Sequence, residues 1–88
     1  MPVTEAVKEW VHRKVPKLER YAPRLVSSHV IVKKEKRFYV AEITVLARRH
    51  RIYGEGRDEE NLYTAIDWAC ERVAVQLKKF REKIKSHE

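Results

Sequence analysis

Four histidines, one cysteine and two strand glutamates are the residues whose chemistry has to be weighed first. His12, His29, His50 and His87 show no metal-ligand spacing with Cys70 or with a carboxylate. Cys70 falls at the edge of a helical apolar stripe, where a free cysteine packs as a small hydrophobe. A nucleophilic cysteine needs an electropositive, accessible setting instead. Glu42 and Glu55 can face each other across neighbouring strands, which reads as a solvated surface pair. The chain has only 2 glycines, Gly54 and Gly56, so it has no glycine-rich loop to cradle a phosphate. No enzyme activity, cofactor or metal is expected.

Basic residues say more. Lys and Arg number 20 against 13 Asp and Glu, a formal net charge of +7 on 88 residues. Such an excess on a small domain is the electrostatic footprint of a nucleic-acid binder. The plainer reading is a soluble protein that happens to be basic. A membrane surface fits less well, because the cations are not confined to one amphipathic face. Arg72, Lys78, Lys79, Arg81, Lys83 and Lys85 surround the apolar stripe of the last helix, opposed chiefly by Glu71 and Glu82. Arg13, Lys14, Lys17, Arg20 and Arg24 line the first helix and its exit. Lys33, Lys34, Lys36, Arg48, Arg49 and Arg51 lie around the strand connections. Cations arranged in this way bind phosphates, giving affinity and position with little sequence information. Tyr21, Phe38, Tyr39 and Tyr53 are candidates for base stacking, whereas Tyr21, Tyr63, Trp68 and Phe80 fit packing roles more readily.

The elements that must carry these residues follow from periodicity. One domain, residues 1–88, is all that this length supports. Thr4 is a good helix cap, and Val7, Trp10, Val11, Val15, Leu18 and Tyr21 recur at helical spacing, interrupted by a kink or break at Pro16. A strand runs from Val26 through Val30, Ile31 and Val32 to a polar turn at Glu35-Lys36. Phe38 to Ala47 alternates, with Ala41, Ile43 and Val45 inward and Glu42 and Thr44 outward. Arg48 to Arg51 forms a basic connection into a third strand, at about Arg51 to Gly56. Gly54 and Gly56 share a face of that strand, where missing side chains let a helix come close. Asp58 caps a last helix of about 25 residues, with Glu59 and Glu60 in its first turn and Tyr63, Ile66, Ala69, Val73, Leu77, Phe80 and Ile84 as its stripe. The fold expected is α+β: two helices on one face of a small antiparallel sheet, in the order α-β-β-β-α, similar in layout to a double-stranded RNA-binding domain. With one cysteine, no apolar run near 20 residues and no signal-peptide pattern, a cytoplasmic location is expected.

Three stretches resemble the ribosome hibernation-promoting factors, also called ribosome-associated inhibitors or ribosome subunit interface proteins. They are Val3 to Val7 with Lys17 to Tyr21; His29 to Val32 through Lys34-Glu35-Lys36 and Tyr39 to Val45; and Asn61 to Asp67 followed by Gln76 to Lys79. The block Tyr63-Thr64-Ala65-Ile66-Asp67 is the most distinctive. The resemblance implies a protein that binds the small ribosomal subunit in the channel used by messenger and transfer RNA. By occupying that channel it would inhibit translation reversibly, in stress or stationary phase. Carried over by position, Arg24, Arg72, Lys78, Lys79 and Lys83 are the residues implied in contacts to ribosomal RNA.

Two departures from the family's pattern stand out. The family order is β-α-β-β-β-α, and the leading strand is not found before Val3-Thr4, through a truncated start or a genuine absence. Its loss would expose the edge of the Val26 to Lys34 strand and invite a homodimer. No C-terminal dimerisation domain of the kind found in longer members is expected either. Two other readings stay open: a general double-stranded RNA-binding module, and a purely structural dimerisation module.

Overall fold

Thr4 starts the first helix as expected: in extended backbone, its Oγ1 accepts the Val7 N–H at 3.2 Å. The computed structural model describes residues 4–20, 25–47 and 50–86, with side chains over 4–18, 27–46 and 50–79. α1 spans Glu5–Lys14, and its last regular bond runs from the Val15 N–H to the Val11 carbonyl. Pro16 has no N–H to give to His12, and its ring crowds that carbonyl. The chain therefore tightens into a 3-10 helix over Val15–Arg20, the break that Pro16 predicts.

Three antiparallel strands follow in the order β1 (Leu25–Glu35), β2 (Phe38–Ala47) and β3 (His50–Asp58). The β1–β2 turn is Lys36-Arg37 rather than Glu35-Lys36. Glu35 still pairs with Phe38, and Lys36 takes the left-handed backbone the tight turn needs, with φ 54°. His50 and Arg51 belong to β3, so only Arg48 and Arg49, outside the described residues, remain of the basic connection. Register aligns Val32 with Ala41 and Gly56, and Val30 with Ile43 and Gly54. All of these lie on the inner face.

α2 spans Leu62–Ser86, the 25 residues that its stripe implies. Its cap is not Asp58. That residue is still paired with Tyr39 in the sheet. Its carboxylate accepts from Glu60 N at 3.0 Å and Asn61 N at 2.7 Å, turning the chain. Asn61 then caps the helix, its side-chain oxygen accepting from Tyr63 N at 2.8 Å. Glu59 and Glu60 consequently precede the helix instead of filling its first turn.

Ala65, Ile66, Ala69, Val73 and Leu77 of α2 are fully buried against Ala41, Ile43 and Val45 of β2. α1 and the 3-10 segment add Val7, Val15 and Leu18 to the same core, so both helices cover one face of the sheet. The seam depends on the two glycines. A Cβ at Gly54 would meet the Ala69 carbonyl oxygen at 2.8 Å and Val73 Cγ2 at 2.7 Å. A Cβ at Gly56 would overlap the Ala65 carbonyl oxygen and lie 2.7 Å from Ala69 N. Helix backbone cannot yield as a flexible side chain does. Gly56→Ala is therefore expected to cost about 3 kcal/mol of stability, measurable as a lower urea midpoint, because α2 must lift from β3.

Candidate nucleic-acid interface

The two helices lie side by side and run the same way. Ala6 and Glu9 of α1 share a groove with Asn61 and Tyr63 at the start of α2. Trp10 stacks edge-on against Tyr63 at 5.2 Å between ring centroids. Its indole Nε1 donates to Asp67 Oδ1 at 2.9 Å. Lys14 sits 4.9 Å from the centre of the Trp10 ring and 3.8 Å from the same Asp67 oxygen. Asp67 thus clamps the helices together, a role that its place in the family-like block does not reveal.

This geometry brings the basic end of α1, with His12, Arg13 and Lys14 in its last turn, alongside α2. Beyond it the 3-10 segment, with exposed Lys17, also packs against α2, the helix that carries the exposed Lys78 and Lys79. None of Arg13, Lys17, Lys78 and Lys79 pairs with a carboxylate among the described residues. Lys83 follows in the same helix, with its side chain outside the described residues, and Arg24 lies outside them altogether. Of the five residues carried over from the family resemblance, the structure therefore brings Arg72, Lys78 and Lys79 onto one helix as exposed cations.

Arg72 is also a structural residue. Its Nη1 donates to the Glu55 carbonyl at 2.5 Å, and Gln76 Nε2 donates to the Tyr53 carbonyl at 2.6 Å. Together they tie α2 to the outer edge of β3. Arg72 is exposed and pairs with no carboxylate among the described residues, which leaves guanidinium N–H groups available to a further acceptor. Beside it runs a groove of about 540 Å³ lined by Tyr53, Glu55, Trp68, Glu71, Val75 and Gln76. Trp68, a packing residue on the sequence pattern, is 48% exposed there. The signal in the sequence is its spacing: Trp68, Arg72 and Val75 form a second helical row outside the core stripe.

The outer face of the sheet is electrically different. Glu42 and Glu55 do stand opposite one another, as their strand positions suggest. Lys33 Nζ lies 3.0 Å from Glu35 and 3.4 Å from Glu42, and Arg57 lies 3.4 Å from both Glu35 and Glu55. These bonds, Glu35 foremost, raise Lys33 above the ordinary lysine range. Val40, flanked across the sheet by Lys33 and Arg57, is fully buried on this otherwise open face. Tyr53 donates its hydroxyl to Glu42 at 2.6 Å. That bond is the main reason Glu42 titrates below its ordinary value and Tyr53 is pushed up to about 12. Burial pushes the half-buried Cys70 thiol up to about 11, which suppresses thiolate at neutral pH. Among the described residues no three His, Cys, Asp or Glu side chains gather as metal ligands. Nor is any helix among them long and apolar enough to cross a membrane.

The family model described as "Sigma 54 modulation protein / S30EA ribosomal protein" matches residues 1–85. The chain belongs to this family. The ribosome hibernation promoting factor of Escherichia coli K12 is 33% identical over 85 residues, spanning 97% of this chain and 88% of that protein. The ribosome hibernation promotion factor of Bacillus subtilis 168 is 34% identical over 89 residues, 93% of this chain but 44% of that longer protein. The crystal structure of the Thermus thermophilus Protein Y N-terminal domain matches with a TM-score of 0.81 at 31% identity, covering 91% and 88% of the two chains. A ribosomal subunit interface protein from Coxiella burnetii matches equally well, TM-score 0.81 over 93% and 89%, at 18% identity, a likeness of fold alone. The α+β arrangement and the family read from the sequence are both borne out.

The Tyr53–Glu42 bond sets a pH expectation. Glu42, lowered by folding, contributes stability that is lost as pH falls through its folded value. Tyr53, raised by folding, contributes stability that is complete below pH 10.0 and lost as pH rises through about 12. Phenolate absorbance should show the tyrosine that Tyr53→Phe removes ionising near pH 12, and Glu42→Gln should return it towards about 10.

Proposed function

We propose that this protein binds the small ribosomal subunit through its helical face and promotes reversible ribosome hibernation. In this reading it occupies the channel where messenger and transfer RNA would sit, and so stops translation in stress or stationary phase. The observation that carries it is the division of charge between the two faces. Lys33 and Arg57 on the outer sheet face are matched by Glu35, Glu42 and Glu55, while Arg13, Lys17, Lys78 and Lys79 on the helical side have no carboxylate partner among the described residues. A polyanion displaces no carboxylate from those helical cations on binding. Membership of a family whose relatives carry the name ribosome hibernation promoting factor supports ribosomal RNA as the polyanion.

Arg24, Arg72, Lys78, Lys79 and Lys83 are the proposed RNA contacts. Arg72 would join the sheet edge to a phosphate through its remaining N–H groups. The work is binding, not catalysis, and takes place in the cytoplasm where ribosomes are. A general double-stranded RNA-binding role is less well supported, because such domains aim cations from the start of the last helix at phosphates. Here Asp58, Glu59 and Glu60 lead into that helix and Asn61 caps it.

Co-sedimentation with purified small subunits across a salt series tests the proposal. Binding should be saturable, weaken steeply with salt and be displaced by messenger with initiator transfer RNA. Lys79→Glu with Lys83→Glu should lower affinity at least about tenfold and reduce the salt slope by about 2, with the far-ultraviolet spectrum unchanged. Equal binding to any duplex RNA, without competition by the channel ligands, would refute channel occupancy.

A further inference from the structure

One row of α2 is not used by the core. Trp68, Arg72, Val75 and Lys79 follow one another three or four residues apart, which lines them up along one side of the helix. All four are exposed, with nearly half of Trp68 and of Val75 open to solvent. At the start of the row, Tyr53, Gly54 and Glu55 of β3 form the opposite wall of the groove beside Trp68. The other tryptophan has a contrasting setting. Trp10 packs on Tyr63 and gives its indole N–H to Asp67, so it serves the fold. Trp68 leaves in water an aromatic surface whose burial would stabilise the fold. Four residues on, Arg72 is already positioned by its bond to the Glu55 carbonyl. Neither Arg72 nor Lys79 pairs with a carboxylate among the described residues.

We propose that Trp68 is a stacking platform for an unpaired base of the RNA whose phosphates Arg72 and Lys79 bind. The inference rests on the reading of this protein as an RNA binder and extends it from phosphates to a base. The row itself favours a nucleotide over a protein partner. A helix that docks on a protein presents apolar anchors at i, i+3, i+4 and i+7. Between Trp68 and Val75 those middle positions are Glu71 and Arg72, both charged. An indole followed about 6 Å along the axis by available guanidinium N–H groups suits a base and the phosphate next to it. The base must be single-stranded or splayed out of its helix, because a base within a duplex has no open face. Two carboxylates also line the groove. Glu55 is engaged by Arg57 at 3.4 Å. Glu71, one turn on from Trp68, is an acceptor for an amino group on the base edge, such as that of cytosine.

Titration with a short single-stranded oligocytidylate, followed by tryptophan emission and by polarisation of the labelled strand, tests the platform. Wild-type emission should be quenched saturably. Trp68→Phe keeps a ring to stack on, so it should bind within about twofold of wild type yet lose the quench. Trp68→Ala should bind at least about fivefold more weakly. Its slope of affinity against salt should be unchanged, because stacking releases no counterions. Far-ultraviolet spectra should match wild type, and if Trp68→Ala fails to fold, Trp68→Phe still locates the quench. Quenching that survives in Trp68→Phe, or wild-type affinity in folded Trp68→Ala, would overturn the proposal. So would a wild type that gives no response to the strand, which would leave the row to a protein partner. No ribosome is present in this titration. A protein that co-sediments with small subunits while Trp68 stays silent refutes the stacking alone. One that stacks the strand but does not bind subunits refutes the ribosome reading instead.

Discussion

The approach of α2 to β3 at Gly54 and Gly56 is the constraint on which the rest of the structure depends. With no Cβ at either position, the helix backbone around Ala65 and Ala69 lies directly on the strand. That depth buries Ile66, Val73 and Leu77 against β2 and brings Arg72 and Gln76 within reach of the β3 carbonyls. A helix riding a few ångströms higher would lose both the core contact and the edge bonds. The smallest residues in the chain therefore hold the longest helix, and with it most of the proposed RNA contacts.

A second fastening orients α1. Asp67 accepts from Trp10 and pairs with Lys14, so the first helix is tied to the second by one carboxylate near the molecular surface. Lys14 is occupied twice, over the Trp10 ring and beside Asp67, which makes it a poorer phosphate ligand than its exposed neighbour Arg13. Charge counts along a helix cannot separate such residues. Their neighbours on other elements do.

Much of the fold is legible in the sequence because it rests on local patterns. Thr4, the break at Pro16, the alternation of Phe38 to Ala47 and the stripe from Tyr63 onward each write an element in a few neighbouring residues. The glycine pair is legible too, since two missing side chains on one strand face leave room for a backbone to pack there. Sequence and structure part where competing residues can each satisfy the same local need. Asp58 and Asn61 are both good caps, and only the pairing of Asp58 with Tyr39 in the sheet settles which one serves the helix. Lys36 in a left-handed turn runs against its own preference, so local propensity gives no sign that the turn falls one residue later than the sequence pattern suggests. For the candidate interface, sequence supplies the cations but not their obligations: Arg72 to the Glu55 carbonyl, Lys33 to two glutamates. It is equally silent on the opening of Trp68 to a groove.

The arrangement of charge on the outer sheet face has a kinetic consequence. Register places Lys33, Arg51 and Arg57 there with Glu35, Glu42 and Glu55, three cations with three carboxylates, so this face sums to zero in a chain of net charge +7. Among the described residues, the cations without a carboxylate partner on the helical side, Arg13, Lys17, Lys78 and Lys79, are not balanced in this way, so the two faces differ in charge. In the field of a large polyanion such a molecule feels a torque as well as an attraction. It would turn its helical side forward before touching, so that fewer encounters are wasted on the wrong orientation.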